Sequence, residues 1–326
     1  MINKFIVLLF LVVPITQGFS DSSPASSIIK VHRALLNEYL PVKVSSHTYV
    51  IHGPMRTKLK ENQGFVNNPA FIISDRSVIV VDPGTSVQIG RALLQHIKKI
   101  TSKPITHIFN THIHGDHWLG NQAFSENNPE VKIFAHPVFL EEAKSGAAQQ
   151  WLDIFLSATD GAIKGTKIVL PNIELTDQQV IQIDNISIKV HLSDWAHTKT
   201  DIMLEVIEDK LLFTGDTVNN KRIVPFNDGS FKGSIKSINK VMKQSIEIVV
   251  PGHGATGDNK LLATYKAGLE SIYQTAMQLN DEGLEPYEMK QKAIEANTFF
   301  KGWLGFEDEV GRYLSQAVLE VEQEEF

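Results

Sequence analysis

The densest chemistry in the sequence lies in one short run, Thr111-His112-Ile113-His114-Gly115-Asp116-His117, which sets four potential metal ligands within six residues. Side chains two apart in an extended segment face the same side, so His112 and His114 can converge on one ion. Gly115 lets the backbone turn Asp116 and His117 toward a second position nearby. Imidazole and carboxylate groups suit zinc without any thiolate. Three later segments each carry one more candidate at the end of an apolar run: His197 in Asp194-Trp195-Ala196-His197-Thr198, Asp216 in Phe213-Thr214-Gly215-Asp216-Thr217, and His253 in Val250-Pro251-Gly252-His253-Gly254. Singly, each would pass for an ordinary loop residue; the cluster ahead of them makes them candidates.

Composition narrows that chemistry. The 326 residues include 12 histidines and no cysteine, which removes disulfides, thiolate nucleophiles, iron–sulfur clusters and Cys-based zinc sites together. Any metal must rest on His, Asp and Glu. Lys and Arg number 31 against 37 Asp and Glu, a net charge of −6. That is not the basic surplus a phosphate backbone attracts, so a small-molecule substrate is expected and nucleic acid is not. Residues 1–20, with Lys4, an apolar run from Phe5 to Val13 and small residues at Gly18 and Ser20, have the anatomy of a signal peptide and predict export, periplasmic or secreted. The apolar core of about ten residues falls short of the roughly twenty needed to span a bilayer, and no later stretch is long enough.

Positioning the candidates requires strands that end where they stand. Apolar runs at Ala70–Ser74, Val78–Val81, Ile105–Phe109, Val131–Ala135, Gln179–Ile183, Ile186–Leu192, Ile202–Val206, Lys210–Phe213 and Glu247–Val250 read as strands. Asp184-Asn185 turns one hairpin. Ile89, Leu93, Leu94, Ile97 and Ile100 have the 3.6-residue period of a helix between two of these strands. Shorter helices are expected at Ile28–Tyr39 and from Pro137 to Ala143. The stretch 147–170 mixes Trp151, Ile154 and Phe155 with Gly161 and Gly165 and reads as an insertion or lid. From Asn259 onward the pattern is helical, with breaks at Asp281-Glu282-Gly283 and Gly302. These elements predict an α/β layered sandwich over residues 21–258 and a helical extension over 259–326.

In their order, His-x-His-x-Asp-His, then His, then Asp after Gly, then His between glycines resemble the five-motif signature of the metallo-β-lactamase superfamily over roughly Pro69 to Gly254. The resemblance implies a four-layer αββα sandwich. It implies two zinc ions per chain, iron or manganese being alternatives. His112, His114 and His197 would hold the first ion, and Asp116, His117 and His253 the second, with Asp216 bridging. A shared hydroxide would attack a carbonyl while Asp116, the catalytic candidate, orients it. Asp82, in Val80-Val81-Asp82-Pro83-Gly84, matches the family's acid beside the site and would either orient a ligand histidine or cap a turn.

The superfamily's machinery does not fix a substrate. Family β-lactamases generally carry Cys or Ser where this chain has Asp216, so the sequence is more similar to the glyoxalase II, lactonase and general hydrolase branches, among them exported hydrolases named after quinoprotein systems. An ester, thioester, lactone or lactam substrate is expected. A β-lactamase proper and a mononuclear iron persulfide dioxygenase stay open as alternatives. His32, His47, His52, His96, His107, His136 and His191 lie in no motif and read as structural. Trp118 and Trp195 flank ligands and either line the cleft or pack inside. Asn219-Asn220-Lys221-Arg222 reads as a solvated loop that could otherwise meet an acidic substrate group. Tyr265, Leu269, Ile272 and Met277 have helical spacing and read as core.

Overall fold

The computed structural model describes residues 37–56 and 60–323. The expected signal peptide, His32 and most of the helix expected at Ile28–Tyr39 lie outside them. The first sheet runs in sequence order: β1 (Val42–Lys43), β2 (Thr48–Val50), β3 (Ala70–Ile73), β4 (Val78–Val81), β5 (Ile105–Phe109), β6 (Lys132–Ala135) and β7 (Ile173–Glu174). The second comprises β8 (Val180–Ile183), β9 (Ile186–Leu192), β10 (Ile202–Val206), β11 (Leu211–Phe213), β12 (Ile248–Val250) and β13 (Gly257–Asp258). The helices are α1 (Val87–Ile100), α2 (Gly115–Trp118), α3 (Asn121–Asn127), α4 (Pro137–Glu142), α5 (Ala148–Ala158), α6 (Phe231–Val241), α7 (Lys260–Asp281), α8 (Pro286–Ala296) and α9 (Phe306–Glu322).

The apolar patterning explains the layering. Val78, Ile79, Val80 and Val81 are all buried, as a central strand covered on both faces must be. Alternate residues point to opposite faces, so Ile79 and Val81 join Ile188, Val190 and Leu204 in the core between the sheets. Val78 and Val80 face outward instead, under Leu93 of α1 and Phe124 of α3. The outer face of the second sheet, with Met203, Leu212 and Val249, is covered by α6 to α9 through Ile238, Leu262, Tyr265, Leu269 and Tyr313. The result is the expected four-layer α/β sandwich with C-terminal helices.

Local signals start and stop these elements. The Ser86 hydroxyl accepts a hydrogen bond from the Ile89 amide, a cap worth about 1 kcal/mol to α1. Asp184 takes φ 55° in the two-residue β8–β9 turn, and its carboxylate accepts hydrogen bonds from Ser74, Ser77 and Arg76, tying the two sheets at one end. Gly268 of α7 approaches Phe300 so closely that a Cβ would stand 2.1 Å from its ring, so only glycine lets this aromatic seat the C-terminal helices. Met277 departs from the expected core stripe, being 40% exposed. The stretch read as an insertion or lid begins with α5, whose Leu152 and Phe155 pack with Ile163 and Trp118. Among the described residues, no helix is long and apolar enough to cross a membrane.

Candidate metal centre

β4 and β5 are parallel in one sheet, and β11 and β12 in the other. Their C-terminal ends release the loops holding Asp82, His112 to His117, Asp216 and His253, and the β9–β10 loop adds His197. Functional loops commonly gather at such strand ends, held by a rigid scaffold. All seven sequence candidates are buried. They form two groups, His112 with His114, His197 and Asp216, and Asp116 with His117 and His253, each with ligand atoms within 4.8 Å of one another.

Asp216 joins the groups. One carboxylate oxygen stands 3.4 Å from His117 Nε2; the other is 3.2 Å from His253 Nε2, 3.7 Å from His197 Nε2 and 3.9 Å from His112 Nε2. Asp116 Oδ2 is 3.5 Å from His253 Nε2 and 3.8 Å from His117 Nε2. His197 Nε2 and His114 Nδ1 face each other at 3.0 Å. His112 Nε2, His117 Nε2 and Asp216 Oδ1 are buried without a hydrogen-bond partner, an arrangement a protein tolerates where a cation completes it. The donor set therefore fits two borderline divalent ions.

Electrostatics favour the required protonation states. Burial and the neighbouring His117 and His114 rings push His112 well below its ordinary pKa. Burial, with His114 beside it, takes His197 down to about 3. Both rings are thus neutral donors at pH 7. Burial opposes ionisation of Asp216, but His253 and His117 hold its carboxyl well below the usual range. His117 is the exception: burial lowers it, yet Asp216, Asp82 and Asp116 together raise it to about 9, so a proton occupies it when no ion does.

The rings are aimed by a surrounding set of hydrogen bonds. His117 Nδ1 contacts Asp82 Oδ2 at 2.7 Å, while Thr111 donates to the same carboxylate from its amide at 2.8 Å and its hydroxyl at 2.7 Å. Asp82 therefore orients a candidate ligand histidine, and its φ of 49° is a left-handed conformation that Asp and Asn accept better than most residues. His253 Nδ1 donates to the Val66 carbonyl at 2.7 Å, which leaves Nε2 for a metal. Asn219, read from the sequence as part of a solvated loop, is instead fully buried; it accepts from the His253 amide at 3.0 Å and donates to the Asp216 carbonyl at 3.1 Å. Asp201, missed in the sequence, accepts from the Thr198 amide and hydroxyl and shapes the His197 loop; burial raises its pKa to about 7. A Cβ on Gly252 would lie 2.0 Å from Asp216 Oδ1, so glycine there makes room for the carboxylate. Replacing Asp82 with Asn keeps the backbone conformation and removes the charge behind His117. Metal titration is expected to show affinity falling about 10- to 100-fold, with the melting temperature shifting little.

A cavity of about 610 Å³ opens beside the first group, lined by Ile113, Trp151, Ile154, Trp195, Lys199 and Asp228 among others. The Trp151 ring lies 4.5 Å from that of His114. Trp195 lines the cleft, but Trp118 does not: it is 0% exposed and its Nε1 donates to the Ile113 carbonyl. Arg222 overturns the reading of a solvated loop, being only 9% exposed, whereas Lys221 lies over the Trp303 ring. The described off-motif histidines sit outside both groups. His47 contacts Asp209, His52 contacts Thr256, His191 contacts Glu205 and His136 caps α4.

Comparison with known proteins agrees with this geometry. The model of the metallo-beta-lactamase superfamily matches residues 63–253, more than half of the chain. The chain belongs to that superfamily. Its relatives include a metallo-beta-lactamase type 2 of Bacillus cereus, 20% identical over 71% of this chain and 84% of that protein. A linear primary-alkylsulfatase of Pseudomonas sp. (strain ATCC 19151) is 38% identical over 74 residues, 22% of this chain and 14% of that protein. Among solved structures, a metallo-beta-lactamase from Pontibacter korlensis superposes with TM-score 0.57 at 19% identity, covering 71% of this chain and 99% of that one. The sec-alkylsulfatase Pisa1 from Pseudomonas sp. gives TM-score 0.67 at 16% identity, covering 89% of this chain and 51% of that one.

Proposed function

We propose that the protein is an exported hydrolase that binds two zinc ions and cleaves an ester, thioester, lactone or lactam of a small molecule. The observation that carries this reading is Asp216, whose two oxygens reach His117 at 3.4 Å, His253 at 3.2 Å and His197 at 3.7 Å, so that one side chain serves both ligand groups. When bound, two divalent ions supply a hydroxide at neutral pH and polarise the bond to be broken. The chain's own residues do the positioning. Asp116 belongs to the second group and orients the attacking water through its carboxylate. Trp151, Ile154 and Trp195 offer apolar contact to the part of the substrate that lies in the cleft. An Asp at position 216 supports the glyoxalase II-like and general hydrolase branches over the β-lactamases that carry Cys or Ser there. The intact second group argues against a mononuclear iron centre.

A second reading is favoured by one observation. The fold likeness to an alkylsulfatase extends over 89% of this chain, against 71% for the β-lactamase from Pontibacter korlensis, and supports a sulfate ester as substrate. One preparation tests both readings. Elemental analysis after metal loading is expected to find about two ions per chain, and fewer than about 1.5 would sink the dinuclear model. Chromogenic lactam, thioester, lactone and aryl sulfate substrates assayed in parallel are expected to give turnover in a carbonyl class. Turnover of the sulfate alone would favour the second reading.

A further inference from the structure

The C-terminal helices reach the metal centre through a buried polar thread that the proposed reaction does not use. Tyr265 of α7 is 1% exposed and Tyr313 of α9 is fully buried, both inside the layer that covers the second sheet. Their rings belong to that core, but each also buries a hydroxyl, and a buried hydroxyl needs a partner.

Every proton along the thread has a place. The Tyr313 hydroxyl donates to the Val224 carbonyl at 3.0 Å. Tyr265 is hydrogen-bonded to Tyr313 and to the Asn219 side chain. Since the Tyr313 proton goes to Val224, Tyr265 donates to Tyr313 and accepts from the Asn219 amide. Burial pushes Tyr265 up to about 12, so its hydroxyl keeps the proton it donates. Asn219, itself 0% exposed, gives its other N–H to the Asp216 carbonyl at 3.1 Å and takes the His253 amide on its oxygen at 3.0 Å. One side-chain amide thus holds three partners: Tyr265, Asp216 and His253.

Asp216 follows β11 and His253 follows β12, so Asn219 ties together two strand-end loops, one with the bridging candidate and one with a ligand of the second group. The packing there is close, since a Cβ on Gly252 would come within 2.0 Å of Asp216 Oδ1. Without the Tyr265 hydroxyl, one Asn219 N–H loses its acceptor and the amide loses the contact that sets its rotation. Tyr313 braces another part of the centre: its ring stacks on Phe226 with centroids 4.8 Å apart, and Phe226 lies 6.2 Å from the His197 ring.

We infer that Tyr265 is a positioning residue of the metal centre: acting through Asn219, its hydroxyl sets Asp216 and His253 for the second ion, which makes the C-terminal extension part of the site as well as a cover for the sheet. This rests on the two-ion reading.

The test uses cobalt(II), whose visible absorption reports the coordination that zinc, with its filled d shell, does not. Metal-free wild type, Tyr265→Phe, Tyr313→Phe and Met289→Ala are titrated by calorimetry and absorption, with melting temperatures measured alongside. Met289 is buried in α8 within the same helical layer and lies outside the thread, so Met289→Ala controls for lost stability. Wild type is expected to bind two ions. Tyr265→Phe is expected to weaken the second at least about tenfold and to shift its absorption, while affinity for the first changes less than about threefold. Tyr313→Phe, one hydrogen bond further out, should weaken the second ion by less. Met289→Ala should lower the melting temperature and leave both affinities and the spectrum as in wild type. An unchanged second ion in Tyr265→Phe, or an equal loss in Met289→Ala, would overturn the positioning role and leave the two-ion reading intact. Should Tyr265→Phe fail to fold, Tyr313→Phe decides by the same readout. Fewer than about 1.5 ions per wild-type chain would instead remove the two-ion reading, and the positioning role with it.

Discussion

Replacing Asp216 with Ala is expected to lower kcat by about a thousandfold and to cut bound metal from two ions per chain to one or fewer. Its carboxylate approaches four of the candidate ligands, with Nε2 atoms of His253, His117, His197 and His112 at 3.2, 3.4, 3.7 and 3.9 Å. Removing it leaves those imidazoles without the anion they converge on and opens the space that Gly252 vacates for it. Asp216→Asn keeps the shape and loses the charge, so it should fall between wild type and Ala in both measures. Elemental analysis with steady-state kinetics makes the comparison, and circular dichroism checks that each variant folds. Unchanged turnover in Asp216→Ala would show that the two groups work without a bridge.

Much of this centre is legible in the sequence because its ligands sit in local motifs at strand ends. The run from His112 to His117 stays together when β5 ends at Phe109, and the single ligands His197, Asp216 and His253 each follow a strand whose apolar run is visible. The central strands are equally readable, since burial on both faces makes Val78–Val81 continuously apolar. What escapes is set by distant partners. Arg222 lies in a polar run that looks solvated, yet it is buried where its backbone pairs with Leu304, far along the chain. Trp118 borders a motif but turns inward because α2 begins at Gly115 and points the indole at Ile113. Asn219 and Asp201 carry no motif; their roles arise from hydrogen bonds to loops already in place. The two-residue strands β7 and β13 are too short to show periodicity and exist because a longer neighbour offers its edge.

Stripping the metal with a chelator is expected to abolish turnover and to lower the melting temperature by at least about 5 °C, both reversed by adding zinc. The apo centre is electrostatically unfinished. It buries Asp82, Asp116 and Asp216 beside imidazoles that burial keeps neutral, His112 and His197 among them, so that His117, raised to about 9, carries the nearby positive charge together with Arg222. Ions that bind only the folded chain remove this deficit. At a hundred to a thousand times its dissociation constant each stabilises by about 3–4 kcal/mol, and for a chain of this size 1 kcal/mol moves the midpoint by about 2–4 °C. Scanning calorimetry of stripped and reloaded protein measures the shift. Reloading with zinc, iron and manganese in separate samples reports which ion restores hydrolysis. Zinc restoring both stability and turnover fits the dinuclear hydrolase, whereas recovery with iron alone would move the protein to the redox members of its superfamily. Full turnover and an unchanged midpoint in protein verified free of metal would mean that these seven side chains are arranged for something other than ions.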